Sequence, residues 1–118
     1  SSLEDYLVEA WEGRFLKLDA NDILARIGTW QQGDTSDNPL YHGDIHQALG
    51  AIKAKAIIMP SQTDQYFPSA DSEIEVRQMP NAELRIIPSK WGHLAGGPGR
   101  NPADTQFIDK NLKELLAS

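Results

Sequence analysis

The sequence contains no cysteine. A disulfide framework, a cysteine-ligated zinc site and a thiol nucleophile are therefore excluded, and a reducing, cytoplasmic location is expected. Positive charge is scarce: eleven Lys and Arg stand against seventeen Asp and Glu, a net charge of −6, and no two basic residues are adjacent. Neither nucleic acid nor an anionic membrane surface is an expected partner, because both are bound through clustered basic side chains. Long apolar runs are missing too. Ala56 to Met59 is the longest, far short of the roughly 20 residues that cross a bilayer. No basic segment followed by an apolar one marks a signal peptide.

What remains is ordinary globular composition, 40% hydrophobic and 24% charged, over 118 residues. That length is one domain's worth or part of a larger one. The chain changes character near residue 40, which divides it into segments 1–40 and 41–118. The first segment reads as helical. Ser2 can cap a helix carrying Leu3, Leu7, Ala10 and Trp11, with Gly13 expected to stop it. Asp19 can cap a second, whose apolar face is Ile23, Leu24, Ile27 and Trp30. Gly33 to Pro39 is rich in turn formers.

In the second segment, Asp44 can cap a short helix with Ile45, Ala48, Leu49 and Ile52 as its buried stripe. Ala54 to Pro60 suits a strand buried on both faces. A surface helix over 69–79 and a strand over 82–87 follow. Ser89 to Arg100, with four glycines, reads as an irregular loop. Asn101 and Pro102 open a last helix bearing Phe107, Ile108, Asn111, Leu112, Leu115 and Leu116. The order predicts an α/β fold with a parallel sheet. Two strands alone would leave two bare edges, so the pattern reads as the end of a larger fold.

Functional groups of open α/β sheets gather just past the carboxyl ends of the strands. Asp64 follows the first strand and His93 the second, 29 residues later. An acid that orients an imidazole, which in turn moves a proton for a nucleophile, is the logic of a Ser-His-Asp triad. In α/β-hydrolases the order along the chain is Ser, acid, His, and the last two occur here in that order. The nucleophile does not: none of the eight serines lies in a G-x-S-x-G elbow.

Asp44 to Pro68 (DIHQALGAIKAKAIIMPSQTDQYFP) resembles the C-terminal part of the homoserine O-acetyltransferase family of α/β-hydrolase fold proteins. Asp64 matches the triad acid of that family, Tyr66-Phe67-Pro68 the end of its motif, and Gly92-His93 the Gly-His of its triad. Leu18 to Asp34 resembles the segment where the helical lid returns to the core. The resemblance implies the C-terminal part of an α/β-hydrolase fold. Residues 1–40 would be the end of the lid, and 41–118 the last two parallel strands with flanking helices. It further implies a serine-dependent acyl transfer, either an acyltransferase or an ester or thioester hydrolase. Asp64 and His93 would be catalytic, and no cofactor would be needed. The substrate would be a small acyl ester or thioester, with acyl-CoA a compatible donor. The family follows its His with an Asp, whereas Leu94 stands here and cannot pair with an ammonium group, which argues against homoserine as acceptor.

The missing nucleophile implies that this chain alone is inactive. The N-terminal part of the fold, or a partner chain carrying it, would supply the serine. Uncovered apolar faces should drive self-association or partial unfolding. A rival reading is a non-catalytic α/β module that binds itself or another protein. His42 and His46, with Asp44 between them, would share a helix face as zinc ligands do, but no third ligand is evident. Gly96-Gly97-Pro98-Gly99 lacks the spacing of a phosphate loop.

Overall fold

The computed structural model describes residues 2–97 and 101–117. It divides into two compact units, Ser1–Thr35 and Ser36–Ser118.

The first unit is helical. The Ser2 hydroxyl accepts the Asp5 amide at 3.1 Å, and the Asp5 carboxylate accepts the Ser2 amide at 2.7 Å. This reciprocal box opens α1 (Leu3–Tyr6) and satisfies two otherwise orphaned donors. A π-helical stretch, Leu7–Glu12, follows and runs directly into α2 (Gly13–Phe15). Gly13 was expected to end the helix. It sits instead at φ −58°, ψ −27°, inside the right-handed helical region, so the helical backbone runs on through it. α3 (Ala20–Gln32) begins as expected at Asp19, whose carboxylate accepts the Asn21 and Asp22 amides at 2.8 and 3.3 Å. None of these helices contains a buried residue. The apolar stripe expected of α3 exists as a pattern, but Leu24, Ile27 and Trp30 face solvent.

The second unit holds the sheet. Its first loop is tightly folded: the Ser36 carbonyl accepts the Asn38 and Gly43 amides, both at 2.9 Å, and Ser36 is fully buried. Asp44 caps α4 (Ile45–Gly50) through the Gln47 amide. Of the stripe expected on α4, Ala48 is buried while Ile45 and Ile52 are exposed. β1 (Ala56–Ile58) and β2 (Ala82–Leu84) pair in parallel, with Ala56 opposite Ala82 and Ile58 opposite Leu84. α5 (Ser69–Val76) lies between them in the chain, as a parallel connection requires.

Backbone bonds carry the pairing beyond the short strands. Arg85 N–H donates to Ile58 O, Ile87 N–H to Pro60 O, and Gln62 N–H to Ile87 O, at 2.9–3.0 Å. Pro60 has no N–H to give, which breaks the regular ladder where the sequence predicts a strand through residue 60. β1 is half-buried rather than buried on both faces, and β2 alone flanks it among the described residues. Ile87 and Ala95 are the most deeply buried apolar residues.

α6 (Pro102–Leu116) closes the described chain, capped by Asn101 through the Ala103 amide. Its buried positions are polar, Asp104 and Asn111, whereas Leu112 and Leu116 are exposed. Asn111 faces Arg85, which also pairs with Glu83 and Glu114, each at 2.7 Å. This network fastens α6 to the residues just after β2.

Candidate active site

Asp64 ends the turn that follows β1. Its Oδ1 accepts the amides of Tyr66 at 2.8 Å and Phe67 at 3.1 Å, a local turn that acidic side chains favour. This leaves Oδ2 to face the His93 ring, 3.1 Å from Nδ1. Asp64 is only 8% exposed, and burial pushes its carboxyl up. The Phe67 and Tyr66 amides and the His93 ring favour the charged form, and together they bring it below the ordinary carboxylate range. An ionised Asp64 accepts from Nδ1–H, which leaves the lone pair on Nε2, the ring nitrogen away from the carboxylate.

His93 sits in a 3₁₀ turn, Gly92–Leu94, past the end of β2. Its side chain is half-exposed and is flanked by the rings of Tyr66 and Phe67, with centroids 5.0 and 5.4 Å away. Gly92 has φ +54°, and a Cβ there would lie 3.2 Å from the Thr63 carbonyl oxygen. A side chain at that position would meet both an unfavoured backbone region and a close contact. A cleft of about 360 Å³ opens beside the pair, lined in part by Ser61, Asp64, Phe67, Ile87, Gly92 and His93.

The structure thus brings together Asp64 and His93, the two residues singled out in the sequence. It does not unite His42 and His46 on one helix. His42 lies before α4 in a left-handed conformation, φ +49°, and His46 lies within α4. Among the described residues no group of three or more His, Asp or Glu could hold a metal ion. The phosphate-loop candidate lies partly outside the described residues, at 98 and 99.

The residues that hold the two loops are not among those singled out in the sequence. Thr63 Oγ1 donates to Ser89 O at 2.9 Å and accepts the Gly92 amide at 3.1 Å. Ser89 Oγ accepts the Trp91 amide at 3.1 Å and donates to Asp104 Oδ2 at 2.7 Å. Ser89 and Asp104 are both buried. A hydroxyl residue directly before the acid, and another just after the proline that follows the second strand, were the available signals.

Two solved structures share this architecture over the whole chain. One is an acetylester hydrolase from Corynebacterium glutamicum, with TM-score 0.85 and 38% identity. The other is the acetyl esterase MekB, with TM-score 0.87 and 36% identity. The chain covers 33% of each. It has the fold of the C-terminal part of an α/β-hydrolase, as the resemblance of its Asp64 and His93 motifs implied.

Its relatives in sequence are mainly ester hydrolases. It is 38% identical over 117 residues, 99% of its length, to a probable esterase of C. glutamicum. It is 39% identical over 107 residues, 88% of its length, to an ethyl acetate hydrolase of Pseudomonas veronii. A homoserine O-acetyltransferase of Chloroherpeton thalassium is 29% identical over 92 residues, 78% of the chain. The chain spans about a third of the first two relatives' length, 33% and 29%, and 24% of the third's. No protein-family profile matches it.

Proposed function

We propose that this chain is the acid-and-base portion of a serine-dependent carboxylic ester hydrolase acting on small esters such as acetyl esters. The observation that carries the reading is the 3.1 Å contact of Asp64 Oδ2 with His93 Nδ1 past the ends of two adjacent parallel strands. The likeness to two acetyl ester hydrolases and an ethyl acetate hydrolase supports the substrate class. The serine and the oxyanion-binding amides would come from the part of the fold that this chain does not span.

In this scheme His93 Nε2 takes the proton of the serine hydroxyl as Oγ bonds to the ester carbonyl carbon. The tetrahedral adduct collapses, the C–O bond to the alkoxide breaks, and Nε2–H protonates the departing alcohol. Water then attacks the acyl-enzyme and gives its proton to Nε2. The serine Oγ leaves and recovers that proton, and the carboxylic acid is released. Asp64 stays ionised throughout, fixes the Nδ1–H tautomer and stabilises the imidazolium. No cofactor takes part. The likeness to a homoserine O-acetyltransferase favours a second reading, in which an alcohol replaces water as acceptor and an acyl ester or thioester is the donor. Leu94, directly after His93, offers no charge to a homoserine amine. A cytoplasmic location is part of the same proposal, to be tested by cell fractionation. Among the described residues no helix is long and apolar enough to cross a membrane.

The test is hydrolysis of p-nitrophenyl acetate by the full-length protein and by His93→Ala. Turnover that falls by roughly 10³-fold or more in the variant is expected. Turnover unchanged by the substitution, or absent from the unaltered protein, contradicts the proposal and favours a non-catalytic binding module.

A further inference from the structure

We infer that Thr63 is a positioning residue whose hydroxyl clamps the His93 loop against the Asp64 loop and so sets the imidazole–carboxylate contact. The kinetic consequence rests on the esterase reading; the structural one does not.

Thr63 adjoins Asp64, and its hydroxyl is bonded at both ends of the short loop that presents His93. It donates to the Ser89 carbonyl at 2.9 Å and accepts the Gly92 amide at 3.1 Å. One oxygen therefore spans separations of 26 and 29 residues. The far side of that loop is anchored independently. Buried Ser89 donates through its hydroxyl to buried Asp104 in the first turn of α6 and accepts the Trp91 amide. The backbone at residue 92 is drawn close to the Thr63 carbonyl, so close that only glycine fits without displacement. Asp64 is itself fixed by two amides of its own turn. Both partners of the 3.1 Å contact are thus held locally, and beside that contact the Thr63 hydroxyl bonds one loop to the other. The 3.1 Å contact is directional, and misalignment weakens such bonds steeply. Thr63 itself is exposed, so water can replace its hydrogen bonds. Losing the hydroxyl should therefore loosen the geometry more than the fold.

The experiment compares Thr63→Val, Thr63→Ala and Thr63→Ser in the full-length protein. Ester turnover is one readout. The other is the low-field proton resonance of the His93 Nδ1–H···Oδ2 bond, assigned by its absence from His93→Gln. Val and Ala should lower kcat roughly tenfold or more, as small misplacements of reacting groups do, with KM within about twofold. Both should broaden or lose the resonance. Ser, which keeps the hydroxyl, should restore both. Val retaining the resonance and kcat overturns the clamp. So does Ser as impaired as Val, which would make the methyl group the cause. Val and Ala that fail to fold beside a folded Ser variant would assign the hydroxyl to the fold instead, and also overturn it. A resonance that responds to Thr63 in a protein without ester turnover would refute the esterase reading and leave the clamp standing.

Discussion

Replacing Asp64 by Asn separates the charge of the acid from its architectural work. Oδ1 accepts two amides and Oδ2 faces His93. An Asn that keeps its carbonyl toward Tyr66 and Phe67 presents an NH₂ group to Nδ1. It then favours the tautomer with the proton on Nε2, which cannot accept the serine proton. Flipping the amide would aim the NH₂ at two N–H donors instead. Neither orientation serves both partners. Turnover should fall roughly 10³–10⁴-fold, as for loss of the charge from a triad, equivalent to about 4–5.5 kcal/mol of barrier. Because the turn keeps its acceptor, stability should fall by less than about 1 kcal/mol. Asp64→Ala removes the acceptor as well. Two amides lose a charged partner, a cost of about 2–4 kcal/mol after allowing for solvent at the loop. Steady-state hydrolysis of p-nitrophenyl acetate and urea denaturation of the full-length protein measure the two effects. Asn with more than about a tenth of normal kcat would refute the role given to the charge. Asn as unstable as Ala would refute the assignment of Oδ1 to the turn.

Asp64 has its carboxyl held below the ordinary value of 3.8. Its charge therefore contributes stability fully above that value and loses it as pH falls through the lower, folded one; the stability difference between the protein and Asp64→Asn, followed by urea denaturation, should shrink below pH 3.8. Gly92→Ala should cost about 1–2 kcal/mol from its positive φ and the 3.2 Å approach to Thr63 O, and should lower kcat along with the melting temperature. Ser61 is 5% exposed and its hydroxyl has no hydrogen-bond partner among the described residues, so Ser61→Ala should leave the melting temperature of the 118-residue chain unchanged or raise it, since an unsatisfied buried group is lost. The 118-residue chain expressed alone exposes Leu24, Trp30, Tyr66, Trp91 and Leu116; light scattering should find species heavier than 13.1 kDa, or calorimetry a non-cooperative transition.

The juxtaposition of Asp64 and His93 was legible in the sequence because its signals are local and ordered. Asp64 and His93 each follow a predicted strand closed by a proline, and their order matches one triad topology. The helix caps at Ser2, Asp19, Asp44 and Asn101 were legible for the same reason: each cap bonds within three residues. The extent of burial was not. Apolar periodicity marks which side of α3 or α4 could be covered, not whether anything in the chain covers it. Periodicity also passed over Asp104 and Ser89, whose burial depends on a hydrogen bond between residues 15 apart. The two-sided bonding of Thr63 depends on the approach of Gly92, a tertiary fact with no trace in spacing. Gly13 shows the same limit, since a glycine permits a helix to end without requiring it.

In the proposed enzyme His93, held by Asp64, activates a serine elsewhere in the same fold. Reaction of the full-length protein with a fluorophosphonate, followed by intact mass and peptide mapping, tests it most directly. One adduct per chain is expected, on a serine outside these 118 residues, and almost none on His93→Ala in the same time. Equal labelling of the two proteins, or no labelling of either, would contradict it.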